Sequence, residues 1–353
     1  MKAFILESPG RAVFEDMPEP VLKDSYSAIL KPVAVSVCTS DVNTVYGSGS
    51  RKPDRLILGH EAVAEVYKTG SGVRDFKPGD LVAVPAMTPD WRSPEIQEGN
   101  FLHAGRAFSS NALGRSIPGV FAEYFAVDDA DASLAKIPEN VSADDALMCV
   151  DMVTTGFSGI EAADIRFGDT VVIIGIGAVG LMAAAGARLH GAGRIIAAGT
   201  RKVSVPLAFK YGVNDIINYK EKDIKTEVLR LTEGRGADAV IICGGGDDVL
   251  CLAYDIVRYG IGRIVNLKHF PGDEAIPVPK FSSGRGMGGK TLYMELGMGG
   301  RIRLERLMRV VKYADFNPGC MITHKFCGFK NIATALELMR FKGDDVIKTE
   351  VIF

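Results

Sequence analysis

The chain has 353 residues, enough for two domains of ordinary size, and its 41 basic and 43 acidic side chains leave a formal net charge of −2. Because basic and acidic side chains are nearly equal in number, the chain as a whole has no electrostatic field that would hold nucleic acid or an anionic membrane surface. Apolar stretches are interrupted before about 18 residues, so no membrane span is expected. Six cysteines without a C-x-x-C pair, and a start unlike a signal peptide, indicate a cytoplasmic protein with free thiols.

Two different patterns of apolar and turn residues along the chain predict two domains. Residues 1–152 alternate short apolar runs such as EAVAEVY and GDLVAVPA with turn residues, which is typical of half-buried antiparallel strands. Within 153–295, strand-length runs alternate with helix-length segments, which predicts βαβ units and a doubly wound parallel sheet. Residues 296–353 contain two predicted helices and end in VIKTEVIF, a strand expected to return to the sheet of the first domain.

The strongest motif is a glycine-rich turn between an apolar strand and an alanine-rich helix. The turn consists of Gly175, Ile176, Gly177, Ala178, Val179 and Gly180. In a G-x-G-x-x-G turn the first glycine allows the tight bend, the second lets the backbone approach a pyrophosphate, and the third lets the helix pack on the strand. The order of strand, turn and helix favours a dinucleotide-binding loop over an ordinary glycine-rich βα turn.

The end of the next strand predicts which dinucleotide binds. An acidic residue there would accept a hydrogen bond from the ribose 2′-hydroxyl of NAD. This chain instead has Gly199, Thr200, Arg201 and Lys202, which offer space, a hydroxyl and positive charge for a 2′-phosphate. NADP(H) is therefore favoured, although Arg201 and Lys202 would also suit a solvated helix start. Tyr219 ends the following strand, where it contacts the adenine or phosphate, or simply packs.

A cysteine and a histidine in the first domain form a candidate metal site. Cys38 and His60 lie on neighbouring turns and are suitable zinc ligands. A catalytic zinc requires three protein ligands and an open position, so another donor must come from elsewhere. On their own, a buried Cys38 and a hydrogen-bonded His60 would also be compatible with purely structural roles.

Several segments together resemble one enzyme family. CTSDVNTVYG, ILGHEAVAEVYKTGSGV, FKPGDLVAVPAMTPDWRS, DMVTTGF and VVIIGIGAVGLMAAAGARLHGAGRIIAAGTRK are similar to the zinc-dependent alcohol dehydrogenases of the medium-chain family, and most similar to its NADP-dependent secondary alcohol dehydrogenases from bacteria and protozoa. The resemblance implies an α/β fold in which both chain ends, 1–152 and 296–353, build a GroES-like β-rich catalytic domain, and a Rossmann domain, 153–295, is inserted between them. It also implies a homotetramer acting on a small-molecule alcohol or carbonyl substrate.

The same resemblance implies the ligands of one catalytic zinc ion. They are Cys38, His60 and Asp151, with Glu61 sometimes in the fourth position. Cys149 is an alternative third ligand, because residues two apart on a strand share a face. The segment 86–115 contains no cysteine, so the structural zinc of larger relatives is not expected.

In the family, zinc polarises the alcohol or carbonyl oxygen while the nicotinamide exchanges hydride with carbon. Ser40 matches the hydroxyl that exchanges the proton with that oxygen, although a turn-forming serine would also fit. The histidine that commonly extends this proton path is replaced by Asn43, an amide that does not titrate near neutral pH, so weaker proton-relay control of the pH profile is expected.

The predicted substrate pocket differs from that of the relatives. Asn111 stands where they have a tryptophan, which predicts a wider pocket. Arg285, Tyr293 and Glu295 replace apolar or cysteine positions, which predicts a more polar substrate than a small secondary alcohol.

Two other functions remain as alternatives. A zinc-free medium-chain reductase acting on quinones or enones would not need the cysteine, histidine and acid set. A structural protein that binds the cofactor without chemistry would not need it either. The sequence therefore favours a zinc- and NADP-dependent alcohol dehydrogenase.

Overall fold

The computed structural model of the chain describes residues 1–47, 55–105, 112–272 and 274–353. These residues form two compact units, Met1–Thr154 with Met298–Phe353, and Thr155–Gly297. The crossovers between the units lie two residues beyond those expected from the sequence, at 152/153 and 295/296. No helix in the described ranges is long and apolar enough to cross a bilayer.

The strands of the described chain belong to three sheets. They are β1 (Lys2–Ser8), β2 (Arg11–Asp16), β3 (Ala28–Val37), β4 (Leu56–Ile57), β5 (Glu61–Thr69), β6 (Leu81–Val84), β7 (Phe125–Val127), β8 (Ala135–Lys136), β9 (Thr170–Ile174), β10 (Arg194–Ala198), β11 (Asp215–Ile217), β12 (Ala239–Ile242), β13 (Arg263–Asn266), β14 (Thr291–Met294), β15 (Ile322–Cys327) and β16 (Lys348–Ile352).

The helices range from single turns to about four turns. They are α1 (Thr39–Tyr46), α2 (Pro94–Gln97), α3 (Ala130–Ser133), α4 (Ala143–Met148), α5 (Thr154–Ala162), α6 (Ala178–Leu189), α7 (Ser204–Lys210), α8 (Ile224–Leu231), α9 (Val249–Ile256), α10 (Arg301–Tyr313) and α11 (Asn331–Arg340). The two C-terminal helices predicted from the sequence correspond to α10 and α11.

The first unit contains a three-stranded sheet, ordered β2-β1-β4, and a seven-stranded sheet, ordered β15-β16-β3-β5-β6-β8 with β7 paired to β3. The strand predicted at the end of the chain is confirmed as β16, which pairs antiparallel with β3. Thr349 lies opposite Val37, so the last strand runs beside the residue that precedes Cys38. Buried valine, leucine and phenylalanine side chains from both ends of the chain share one core.

The second unit is a six-stranded parallel sheet, ordered β11-β10-β9-β12-β13-β14. This order confirms the predicted doubly wound fold, and it reverses direction at β9, where such folds bind dinucleotides beyond the carboxyl ends of the strands. The central strands are continuously apolar because helices cover both faces of a parallel sheet.

One local expectation was wrong. The sequence predicts a strand around Cys149 and Asp151, but residues Cys149–Val153 form a π-helical turn between α4 and α5. Ser142 is the N-cap of α4, and its side chain accepts a hydrogen bond from the backbone N–H of Asp145 at 3.1 Å. A short apolar run such as ALMCVDMV does not by itself distinguish a buried strand from a buried helix, and here the N-terminal cap decides for the helix.

Candidate active site

Four side chains of the first unit offer ligand atoms that all lie within 4.8 Å of one another: Cys38, His60, Glu61 and Asp151. His60 Nε2 lies 3.3 Å from Asp151 Oδ2 and 3.7 Å from Glu61 Oε1. Cys38 is half-buried and the other three are buried. The structure thus brings together all four ligands expected from the family resemblance.

Local backbone geometry places the two ligands recognised from the residues alone. Cys38 follows β3 and is the N-cap of α1. Gly59 precedes His60 with φ of +88°, and a Cβ at Gly59 would lie 2.3 Å from Cδ1 of Phe121. Glycine is therefore required by both the backbone conformation and the ring packed against it. The turn at Gly59 carries the chain through His60 into β5.

Asp41 is a functional residue that the sequence reasoning missed. Its Oδ1 lies 3.1 Å from His60 Nδ1, and its Oδ2 accepts a hydrogen bond from the backbone N–H of Cys38 at 2.8 Å. Because a carboxylate facing Nδ1 holds a proton there, Nε2, which faces the other ligands, is the nitrogen that offers its lone pair to a metal when the ring is neutral. The available signal was an acid three residues after an N-cap.

Ser40 also belongs to this cluster. Its Oγ lies 3.1 Å from His60 Nε2, so the hydroxyl is beside the same nitrogen that faces the ligands. Asn43, one turn further along α1, is exposed.

Lys348 is a second residue that the sequence reasoning missed. It is 1% exposed, and its Nζ lies 2.7 Å from Glu61 Oε1 and 2.7 Å from Oε2. The geometry at Oε2 does not meet hydrogen-bond angles, so this second approach is a charge contact. The nearby anions, Glu61 foremost, outweigh the burial that opposes protonation and raise the pKa of Lys348.

The electrostatics of the cluster favour anionic ligands around a cation. Burial opposes the Cys38 thiolate, but the Lys348 charge and a hydrogen bond from His60 outweigh it and lower the pKa of Cys38 to about 7. Burial also opposes ionisation of Asp151, yet its hydrogen bond with His60 and the charge of that ring hold its pKa well below the usual range. A thiolate, an imidazole and a carboxylate in one buried pocket are a ligand set that fits zinc.

Cys149 does not belong to this set. Among the described residues, the metal-ligating group contains Asp151 but not Cys149, because residues two apart on a helical turn point in different directions. Burial raises the pKa of the Cys149 thiol, which keeps it neutral.

The glycine-rich loop of the second unit has the shape of a phosphate cradle. Gly175 follows β9 and has a φ of +100°, and a Cβ at Gly180 would lie 1.8 Å from the carbonyl oxygen of Gly175. A Cβ at Gly177 would meet nothing within 4 Å, so the loop is open at the N-cap of α6, where Ala178 and Val179 begin the helix. A helix N-terminus next to open backbone suits a pyrophosphate.

The residues predicted to read the 2′-phosphate follow two neighbouring strands, with Thr200 and Arg201 after β10 and Tyr219 after β11. Thr200 Oγ1 donates to Tyr219 Oη at 3.3 Å, Tyr219 is half-exposed, and Arg201 follows Thr200. Gly199 differs from the expectation that it leaves open space, because a Cβ there would lie 2.2 Å from Cγ1 of Ile176. The glycine at 199 accommodates Ile176 from the phosphate loop.

Comparison with known proteins identifies the family. The model for the alcohol dehydrogenase GroES-like domain matches residues 24–139, and the model for the zinc-binding dehydrogenase matches residues 178–296. The chain is 47% identical over 352 residues to the NADP-dependent isopropanol dehydrogenase of Thermoanaerobacter brockii, covering 100% of this chain and 99% of that protein. The chain belongs to the zinc-binding alcohol dehydrogenase family. The family resemblance noted in the sequence is therefore confirmed.

Two other dehydrogenases support the same assignment. An NADP-dependent isopropanol dehydrogenase of Entamoeba histolytica is 43% identical over 324 residues, covering 92% of this chain and 88% of that protein. Among solved structures, the alcohol dehydrogenase TADH from Thermus sp. ATN1 matches with a TM-score of 0.86 at 25% identity, covering 100% of this chain and 99% of that one.

The structure describes three of the four positions at which the predicted substrate pocket differs from that of the relatives. Arg285 is exposed in the turn before β14, and Tyr293 is half-exposed on β14. Glu295 follows β14, and burial together with the charge of Glu161 raises its pKa. Asn111, predicted to widen the pocket, lies outside the described residues.

Proposed function

We propose that this protein is a zinc-dependent oxidoreductase that transfers hydride between NADP(H) and an alcohol or its carbonyl counterpart, most suitably a secondary alcohol. The observation that carries the proposal is the buried group of Cys38, His60, Glu61 and Asp151 ligand atoms. It occurs in a chain that is 47% identical, along its whole length, to an isopropanol dehydrogenase. The functional division follows the bounds predicted from the sequence, with metal chemistry in 1–152 and 296–353 and cofactor binding in 153–295.

In this proposal Cys38, His60 and Asp151 hold one zinc ion, and Glu61 is a donor that occupies the fourth position only at times. Zinc held there supplies Lewis-acid polarisation of the substrate oxygen, and the nicotinamide supplies or accepts hydride. Ser40 exchanges the proton of the substrate hydroxyl through its Oγ, which lies at the edge of the ligand group. Asn43, which is exposed one turn further along α1, is an amide that holds no titrating proton, so the path continues through water.

The cofactor loop binds the pyrophosphate through backbone N–H groups at Gly177 and the start of α6. Thr200, Arg201 and Tyr219 recognise the 2′-phosphate of NADP(H), with the guanidinium supplying charge and the two hydroxyls supplying hydrogen bonds. No carboxylate lies in the segment 199–202 to favour the free 2′-hydroxyl of NAD.

We also propose a cytoplasmic homotetramer. Support comes from β14, the last strand in its sheet, which leaves one edge without a partner strand among the described residues. Tyr293 and Met294 on that strand are about half-exposed, and Phe281 and Met287 in the preceding turn are 85% exposed. An open strand edge beside apolar side chains is a surface that other copies of the chain would cover. Sedimentation velocity would test this assembly.

One experiment tests the catalytic proposal against its two alternatives. Zinc content is measured by elemental analysis, and NADPH oxidation is followed with a panel of ketones, aldehydes, quinones and enones, before and after chelation. We expect one zinc per chain and ketone reduction that is lost on chelation and restored by zinc. Enone or quinone reduction that survives complete zinc removal would instead identify a zinc-free reductase, and tight NADPH binding without turnover would identify a structural role.

A further inference from the structure

The buried ammonium of Lys348 lies among the ligand groups of the metal site. Its Nζ approaches both carboxylate oxygens of Glu61 at 2.7 Å. The pair is almost fully enclosed, with Lys348 1% exposed and Glu61 0% exposed. A buried lysine without an ionic partner is costly, so this contact is a strong constraint on both side chains.

The backbones that carry the pair are fixed by sheet pairing. Glu61 begins β5 opposite Ser36 of β3, and Lys348 begins β16 opposite Ile322 of β15. The strands β16 and β5 both pair with β3, one on each side. Lys348 and Glu61 therefore reach toward each other across the end of β3, next to Cys38.

The charges of the ligands and a divalent metal ion sum to zero only when the ammonium of Lys348 is included. A thiolate at Cys38 and carboxylates at Glu61 and Asp151 carry three negative charges around a neutral His60. A divalent ion leaves one negative charge, and the ammonium of Lys348 removes it. The Asp41 carboxylate is outside the ligand group, because it contacts the far nitrogen of the His60 ring and lies in the first turn of α1.

The contact also occupies the atoms that Glu61 would offer to a metal. A carboxylate oxygen held against an ammonium loses part of its capacity as a ligand, because the two cations compete for the same lone pairs. Lys348 donates its hydrogen bond to Glu61, whereas it acts on Cys38 and Asp151 as a nearby charge.

We propose that Lys348 is a positioning residue that competes with the metal for the Glu61 carboxylate, and so keeps Glu61 as a reserve donor while one coordination position stays open to substrate. This inference rests on the proposed zinc site. It assigns a role in that site to a residue from the last strand of the chain, and it predicts that Lys348 controls the coordination number of the metal.

The test uses the full-length protein loaded with Co²⁺, whose visible absorption is strong when four ligands surround it and weaker when a fifth binds. In Lys348→Met, Glu61 is released to the metal, so we expect the visible band to weaken and metal release to a chelator to slow by about tenfold. In Lys348→Met with Glu61→Gln, the band should return to that of the unaltered protein. Lys325→Met is the matched control, because Lys325 pairs with Asp144 and Glu350 and not with the ligands.

The single variant Glu61→Gln keeps the test decisive if Lys348→Met does not fold. The proposal requires its band to match that of the unaltered protein, because Glu61 is then outside the inner sphere at rest. A stronger band in Glu61→Gln, or an unchanged band in a folded Lys348→Met, would overturn the proposal. Failure of the unaltered protein to bind any metal would refute the zinc site itself, a result that metal analysis distinguishes from either outcome.

Discussion

Asp41 offers a sharp test of how the metal site is organised. In Asp41→Asn the side chain keeps its shape, but one of its two acceptor oxygens becomes an NH₂ donor. The unaltered carboxylate faces two N–H donors, His60 Nδ1 at 3.1 Å and the backbone of Cys38 at 2.8 Å. Whichever way the amide turns, one of these donors loses its acceptor inside a site where Asp41 is 2% exposed.

The size of the effect follows from the lost contact. A hydrogen bond to a charged group contributes about 1.5–3 kcal/mol. At about 1.4 kcal/mol per factor of ten, its loss weakens zinc binding by about 10- to 150-fold. This agrees with the roughly 10- to 100-fold effect typical of changing a residue that orients a metal-binding histidine.

Zinc affinity is measured by competition with a chromogenic chelator. Asp80→Asn is the control, because Asp80 is also a carboxylate that accepts a backbone N–H, from Lys77 at 3.0 Å, yet lies outside the ligand group. We expect a large loss of affinity in Asp41→Asn and none in the control. Unchanged zinc affinity in a folded Asp41→Asn would refute the conclusion that Asp41 sets the orientation and proton position of His60.

Three further predictions address the cofactor site, the thiol and the turn before the metal ligands. Arg201→Ala should raise the KM for NADPH by about 10- to 150-fold, the loss of one charged contact, and leave that for NADH unchanged; an equal loss with both cofactors would contradict the assignment. After zinc removal, the rate of Cys38 alkylation should rise with pH through a midpoint near the lowered pKa of about 7, because only the thiolate reacts and it is populated above that value. A midpoint at an ordinary thiol pKa of about 8.5 would contradict this prediction. Gly59→Ala should lower the free energy of unfolding by about 1–3 kcal/mol more than Gly10→Ala, because both glycines have positive φ but only a Cβ at 59 meets Phe121. Equal melting temperatures of the two variants would show that the Phe121 ring moves freely to make room.

The sequence was informative where function depends on short segments. The loop from Gly175 to Gly180 needs glycine for reasons that act within six residues, so strand, turn and helix were all predicted from the pattern. Cys38 and His60 were suitable ligands by type and position. Asp151 was assigned by family resemblance, and only the π-helical turn explains why Cys149, two residues earlier, lies outside the ligand group.

Residues that act through distant partners could not be predicted from local patterns. Lys348 and Glu61 are 287 residues apart, and only the pairing of β16 and β5 on either side of β3 brings them together. Asp41 is close to Cys38 along the chain, but its contact with His60 depends on the turn at Gly59. The space beside Gly199 was misjudged for the same reason, because Ile176 from the neighbouring loop fills it.

The position of β16 after the second unit in the sequence has a consequence for biosynthesis. The second unit is an uninterrupted segment, Thr155–Gly297, and all of its sheet has left the ribosome before the final strand is translated. Glu61 and Asp151 precede the second unit along the chain, whereas Lys348, whose ammonium balances them, follows it. The nascent first unit therefore holds these acids without the charge of Lys348 until the whole second unit has been translated, and a chain truncated before Lys348 would lack the charge needed to bury its metal ligands.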